Sequence, residues 1–185
     1  MTGPGQADTL LAHGTDPNEA PDYHRLDDVS DTHYKWRPLA IAAADGDMAV
    51  ARLLLDDGAR PDDPGNPKCD TALTLAAQNG SVAMLRLLVA HGAKVNDAEG
   101  NSFAPDGSHA IWKAIGCNRP DAVAFLLQHG ANANAYDTDR YAGKEWGGDH
   151  SFGQSVFDFA NENAEYGHDT RILTLLQQAG AKDSP

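Results

Sequence analysis

Residues 71–96 read TALTLAAQNGSVAMLRLLVAHGAKVN, and this stretch decides the fold. Thr71 precedes a short apolar segment that Gly80 interrupts. Ser81, whose hydroxyl is a good helix N-cap, precedes a second apolar segment. Gly92 then stands where a helix ends in a left-handed turn, which glycine enters at little cost. Two helices this short bury little surface alone, so the stretch predicts a helix-turn-helix unit that stacks against copies of itself.

The end of this unit recurs along the chain, each time as an apolar run that leads into a glycine. These glycines are separated by 44, 34, 38 and 50 residues. Helix-turn-helix repeats of comparable length include the ankyrin unit of about 33 residues, whose signature is T-P-L-H-x-A. The repeat glycines are Gly14, Gly58, Gly92, Gly130 and Gly180.

The chain resembles the ankyrin-repeat family in four segments. Two of them match well, namely RPLAIAAADGDMAVARLLLDDGA at 37–59 and the stretch 71–96. Residues 109–134 match less closely, and residues 155–181 match least because the connection between their helices is four residues longer. The resemblance implies an all-α solenoid of stacked helix-turn-helix units with long inter-repeat loops.

The repeat boundaries predict a single domain with two unusually long connections. The spacing exceeds the 33-residue period by 11 residues before the first full repeat and by 17 residues before the last. Long connections in compact domains are more often functional than idle. The predicted segments are a partial repeat at 1–18, a long loop at 19–36, repeat 1 at 37–70, repeat 2 at 71–108, repeat 3 at 109–135, a second long loop at 136–154, and repeat 4 with its tail at 155–185.

The histidine of the family signature is absent from every copy. Its place is taken by Ala40, Thr74, Trp112 and Asp158. In the family this histidine helps to hold the loops together by hydrogen bonds. Without this histidine the helix stack is still predicted, but the geometry of the loops is not.

The charge balance restricts the class of partner. The 185 residues carry a formal net charge of −13, and the acidity is heaviest before Asp70. This argues against nucleic acid and against anionic lipid as direct ligands. An acidic surface would speed the approach of a basic protein. The alternative is that the acidity only keeps the protein soluble.

The cysteine content and the first residues indicate a compartment. Cys69 and Cys117 are the two cysteines, and their spacing forms no metal or redox motif, so two reduced thiols are expected. The start MTGPGQADTLLAHG has neither the basic nor the long apolar region of a secretory signal. No run of 18 apolar residues is present, so no membrane span is predicted. We therefore expect a cytoplasmic protein. We also expect a monomer, with end-to-end self-association through an exposed first helix as the alternative.

Catalytic and cofactor chemistry finds little support in the sequence. Asp137, Asp139, Asp149 and His150 share one loop, but they lack the order of an EF-hand, so solvated carboxylates are the expected interpretation. No nucleophile and base stand at a spacing that supports catalysis. We predict no metal, no cofactor and no enzymatic activity.

The resemblance implies a protein-binding function through a concave face built from the first helices and the loop tips. One hypothesis is an inhibitor, such as a toxin-neutralising immunity protein, that masks a basic partner. The alternative is a scaffold or adaptor in a cytoplasmic complex. For Trp36 and Trp112, packing within the chain competes with partner contact. The candidate partner-binding residues are Asp27, Asp28, Asp31, His33, Tyr34, Trp36, Asp45, Lys68, Asp70, Gln78, Asn79, Asp106, Ser108, Trp112, Tyr141, Trp146 and Phe152.

Overall fold

The structure, a computed structural model, describes residues 16–19, 36–63, 65, 70–96, 109–135 and 154–182. These residues form eight helices in four pairs, which confirms the predicted all-α stack of helix-turn-helix units. Of the predicted partial repeat at 1–18, only residues 16–18 lie within the described part of the chain. In chain order the helices are α1 (Pro38–Asp45), α2 (Met48–Asp56), α3 (Ala72–Asn79), α4 (Val82–Ala90), α5 (His109–Gly116), α6 (Pro120–Gln128), α7 (Val156–Glu165) and α8 (Arg171–Gln178).

The helix ends lie where the sequence predicts them. Thr71 is the N-cap of α3 and accepts a hydrogen bond from the backbone N–H of Thr74 at 3.3 Å. Ser81 caps α4, and Asp47 caps α2 by accepting from two backbone N–H groups. Gly80 ends α3 at a φ of 73°, a left-handed conformation that a side chain would strain. Local residue types therefore determine where α2, α3 and α4 begin and where α3 ends.

The helices form two layers. The first helices of successive repeats, α1, α3, α5 and α7, contact each other in that order, and so do the second helices α2, α4, α6 and α8. The layers bury a continuous core between them. Met84, Leu85 and Leu88 of α4 are fully buried at its centre. At α8, Ile172 and Leu176 are buried on one face, while the side that carries Thr174 and Gln178 is exposed and polar.

One side-chain position per repeat, four residues after the repeat glycine, bonds each repeat to the next. Asn96 Oδ1 accepts from the backbone N–H of Asn132 at 3.0 Å, and Asn96 Nδ2 donates to the carbonyl of Gly130 at 2.7 Å. We call this arrangement the inter-repeat ladder. The same two bonds recur towards both ends of the stack. Asn18 accepts from the backbone N–H of Arg60 and donates to the carbonyl of Gly58. Asn134 accepts from the backbone N–H of Lys182 and donates to the carbonyl of Gly180.

Asp62 is the exception in the inter-repeat ladder. Its carboxylate accepts from the backbone N–H of Lys94 at 2.9 Å but has no proton to donate to the carbonyl of Gly92. Instead, the ammonium of Lys94 lies 3.9 Å from the carboxylate at a largely exposed position. An exposed pair of this kind adds little stability.

Asp62→Asn is therefore expected to raise the free energy of unfolding by about 0.5 kcal/mol, because an amide restores the missing hydrogen bond. The reciprocal change Asn96→Asp is expected to lower it by about 1 kcal/mol. Urea unfolding at unchanged slope measures both shifts. A lower midpoint for Asp62→Asn than for the native protein would show that the Lys94 ion pair outweighs the hydrogen bond.

Two of the residues that replace the family histidine form hydrogen bonds in the first turn of their own helix. The Thr74 hydroxyl donates to the carbonyl of Thr71 at 2.8 Å within the first turn of α3. The Asp158 carboxylate accepts from the hydroxyl of Ser155 at 2.6 Å and from its backbone N–H, which completes a capping box on α7. The loss of the histidine is thus compatible with well-formed first helices.

Candidate interaction surface

Each first helix ends in the same backbone turn, which passes through a residue in the left-handed conformation. The left-handed residues are Gly46, Gly80, Asn118 and Gly167. In each repeat the next backbone N–H returns to a carbonyl five residues earlier, so the four turns are structurally equivalent. We call the residues that precede them the first-helix row, and they are Asp45, Asn79, Cys117 and Tyr166.

The first-helix row is accessible along most of its length. Asp45 and Asn79 are exposed, and Cys117 is half-buried. Tyr166 is 85% exposed and is the large apolar side chain that stands out from the surface of the described residues. The row therefore presents a carboxylate, an amide, a thiol and an aromatic ring along one edge of the stack.

Inter-repeat hydrogen bonds hold this edge in place. Asn79 Nδ2 donates to the carbonyl of Ala44 at 2.7 Å, which joins the end of α3 to the end of α1. Arg119 Nε donates to the carbonyl of Gln78 at 3.0 Å, which joins the start of α6 to α3. Gln78 is half-buried, so its backbone takes part in packing between repeats while part of its surface stays accessible.

The two tryptophans within the described residues pack against the chain. The Trp112 ring lies 5.1 Å from that of Phe159 between ring centres, so it links α5 to α7. Trp36 is half-buried against the core just before α1. Most of each tryptophan side chain therefore packs within the chain, as the alternative interpretation predicts. Only the remaining exposed part of each ring can contact a partner.

Asp70 was predicted to contact a partner, but its side chain is buried within the stack. It is 4% exposed, and its carboxylate lies 3.3 Å from the ammonium of Lys113 on α5. A buried carboxylate with an ammonium partner stabilises or orients the stack rather than meeting a second protein. We therefore correct its role to a contact within the stack, between the residue that precedes the cap of α3 and Lys113 of α5.

The remaining candidate residues lie outside the described part of the chain. No geometry is assigned to them, and their place in the surface stays a prediction. They are Asp27, Asp28, Asp31, His33, Tyr34, Lys68, Asp106, Ser108, Tyr141, Trp146 and Phe152.

Tyr166 was missed by the sequence-based prediction although a signal was present. The connection between α7 and α8 spans five residues, compared with two between α1 and α2 and two between α3 and α4. The tyrosine stands directly before the left-handed Gly167 in this longer connection. A lengthened turn with an aromatic residue at its tip is the feature that could have identified it.

The charges next to Tyr166 are mainly negative. Glu162 is half-buried and Glu165 is exposed on the last turn of α7. Hydrogen bonds from the backbone N–H and the guanidinium of Arg171 lower the pKa of Asp169, so this carboxyl is charged at neutral pH. The same guanidinium lies 3.8 Å from the exposed carboxylate of Asp121. Arg171 is thereby engaged by carboxylates of the protein itself.

Cys117 in the first-helix row carries a free thiol. Burial raises the pKa of this thiol, and the positive charges of Arg119 and Lys113 oppose the shift only in part. A raised pKa lowers the fraction of reactive thiolate at neutral pH. Cys117 is therefore suited to structural contact rather than nucleophilic chemistry.

Cys117 is accordingly expected to react with a thiol reagent at pH 7.5 without prior reduction, but more slowly than a free cysteine peptide. Mass spectrometry of the labelled protein follows the reaction at this residue. Labelling that requires a reductant would show that Cys117 forms a disulfide in solution. Labelling faster than the peptide would contradict the effect of burial on the pKa.

The described residues contain no group of three or more His, Cys, Asp or Glu side chains placed to hold a metal ion. Within the same residues, no helix combines the length and apolar character needed to cross a bilayer, and the longest, α7, has ten residues. The notable surface features in this part of the chain are the first-helix row and its charged neighbours.

Comparison with known proteins agrees with the helix pairs. A family model described as ankyrin repeats in three copies matches residues 6–99 and 39–137, which together span more than half of the chain. No curated protein matches the sequence at a significant level.

Proposed function

The chain belongs to the ankyrin-repeat family of protein-interaction modules, and we propose that it binds a basic protein without catalysing a reaction. In this family the first helices and the loop tips face the partner. The first-helix row lies at the ends of those helices, and this observation carries the proposal. The proposed site also includes Gln78 and the exposed part of Trp112.

The charge of the chain supports a basic partner. The formal net charge is −13, and Asp45 at the end of α1 is exposed within the first-helix row. Opposite charge across an interface accelerates encounter and disfavours wrong partners. A protein with a basic substrate-binding or docking surface would be masked by such a face. We therefore propose inhibition, as by an immunity protein, as the biological role.

The exposed polar side of α8 supports a monomer. The exposed positions Thr174 and Gln178 of α8 are polar, and a polar outer face disfavours association of one repeat stack with another. The cytoplasmic location predicted from the sequence stays a prediction. A reduced Cys117 thiol in solution would agree with it, because disulfides are rare in the cytoplasm.

The two long loops are proposed to extend the binding face. Shortening them to ordinary finger length, while keeping Trp36 because it packs against the core, is expected to weaken binding at least 30-fold. Trp146→Ala alone is expected to account for much of this loss, since tryptophan is a frequent hot-spot residue. Calorimetric titration with the purified partner measures both effects. Undiminished binding by the folded, shortened protein would restrict the interface to the helices.

Neutralising Asp27, Asp28 and Asp31 together tests the electrostatic part of the proposal. The association rate is expected to fall while the dissociation rate changes little, because charges outside the interface centre act on encounter. The difference should shrink in 1 M salt, where the Debye length is about 3 Å. An association rate that is unchanged at low salt would contradict steering by this loop.

A further inference from the structure

We propose that Tyr166 is the anchor of the interface and that it receives an arginine or lysine side chain of the partner. This inference rests on the proposed function and names one contact within it. It starts from the exposed fraction of the side chain, which is 85%. Removing a ring this exposed costs the fold little, whereas burying it against a partner would remove a large apolar area from water.

The backbone holds Tyr166 in a defined position. The N–H of Gly167 bonds to the carbonyl of Ala164 at 3.1 Å, and the N–H of His168 bonds to that of Asn163 at 3.0 Å. The turn is also joined to the neighbouring repeat, because Asn118 Oδ1 accepts from the backbone N–H of Asp169 at 2.9 Å. A ring presented on a held turn loses less conformational freedom on binding than one on an unconstrained loop.

The position of Tyr166 relates it to the rest of the proposed site. It occupies the same place in its turn as Asp45 and Asn79 do in theirs, so it lies at one end of the first-helix row. A partner that lies along the first helices therefore reaches the tyrosine without a change in the backbone. The other members of the row are small or polar, so Tyr166 supplies the large aromatic surface of that edge.

The surroundings select a cation. Glu162 precedes Tyr166, the C-cap of α7, by one helical turn, so the two residues lie on the same side of the helix end. The exposed Glu165 adds a second negative charge to the same turn. Arg171, five residues further along the chain than Tyr166, is already paired, because its Nε lies 2.7 Å from Oδ2 of Asp169. A guanidinium or ammonium group over the face of a tyrosine is attracted by the ring, and adjacent carboxylates strengthen its binding. The chemistry recognised at this position is therefore a basic side chain on a protein surface.

The experiment places a photo-cross-linking phenylalanine derivative at position 166 of the full chain in the cells that produce it. The same derivative at Asp45 probes the opposite end of the first-helix row, and at Gln178 it probes an exposed position on α8. Capture identifies the partner protein, and the affinities of the Tyr166 variants then decide whether Tyr166 is the anchor. Calorimetry then compares the dissociation constant of the captured, purified protein for the native chain and for Tyr166→Phe, Tyr166→Leu and Tyr166→Ala.

Tyr166→Ala is expected to weaken binding about 30-fold, as hot-spot tyrosines do. Tyr166→Phe should stay within about threefold, and Tyr166→Leu should lose about fivefold because the ring is gone. Thermal unfolding checks that each variant folds. Equal affinities for Tyr166→Leu and Tyr166→Phe would overturn the basic side chain as ligand.

The two proposals can fail separately. If the derivative at Asp45 captures a basic protein whose affinity Tyr166→Ala changes by less than threefold, the anchor is refuted while the proposed function stands. If neither Asp45 nor Tyr166 captures more than Gln178 does, both proposals are overturned.

Discussion

Leu88→Ala is expected to lower the free energy of unfolding by about 2–5 kcal/mol, as other substitutions of a buried leucine by alanine do. Leu88 is fully buried in α4, with helix pairs stacked on both sides of it. The substitution removes apolar area from the core and leaves a cavity that closely packed neighbours fill only in part. Because repeats are stabilised by their neighbours, the loss is expected to affect the whole described stack.

Leu127→Ala on α6 is the matched control for Leu88→Ala. Its side chain undergoes the same chemical change but is only partly buried, so a smaller loss is expected. Urea unfolding followed by circular dichroism provides both values on one scale. Equal losses for the two variants would mean that Leu88 is not at the centre of the core.

Lys113→Met is expected to lower the free energy of unfolding by about 3 kcal/mol, because it deprives a buried carboxylate of its ammonium. The side chains of Lys113 and Asp70 are 12% and 6% exposed, and their charged groups lie 3.3 Å apart. Water cannot replace the lost ammonium at so buried a position. The cost therefore comes mainly from the Asp70 charge that stays behind.

Two further variants separate this effect from simple loss of packing. Adding Asp70→Asn to Lys113→Met is expected to recover more than half of the loss, since the uncompensated charge is removed. Lys94→Met breaks an ion pair whose lysine is 59% exposed, and it should cost less than about 0.5 kcal/mol. Additive losses in the double variant would refute a coupled ion pair between Asp70 and Lys113.

The fold was predictable because its signals are local. Thr71, Ser81 and Asp47 cap helices that begin directly after them, and Gly80 ends a helix through its own backbone. The recurrence of this pattern then implied the stack, since short amphipathic helices need neighbours. The inter-repeat ladder was overlooked, although an amide or carboxylate is visible in the sequence four residues after the first four repeat glycines, Gly14, Gly58, Gly92 and Gly130.

The site was predictable only in part, because its residues are defined by contacts between repeats. Asp45 and Asn79 are exposed where the family pattern places partner contacts. Asp70 satisfied the same pattern, yet Lys113, which is 43 positions away in the sequence, buries and pairs it. No local pattern indicates such a partner. Tyr166 was overlooked for the opposite reason, since a lengthened turn was counted as a departure from the family rather than as a feature.

The face made by the first helices is proposed to bind a basic protein, and two aspartates of equal chemistry distinguish this face from the opposite one. Asp45 is the last residue of α1 and Asp56 the last residue of α2, so lysine at either position changes the net charge equally at a helix C-terminus. Both residues are exposed. A lysine at either position is compatible with the helix dipole, so both variants should fold.

The most direct test is the affinity of the purified partner for Asp45→Lys and Asp56→Lys, measured side by side at one salt concentration. Asp45→Lys is expected to weaken binding at least tenfold, about 1.4 kcal/mol, because it places a like charge against a basic surface. Asp56→Lys, on the opposite layer of helices, should stay within about threefold. Equal effects of the two substitutions, or a larger effect of Asp56→Lys, would contradict binding through the first helices.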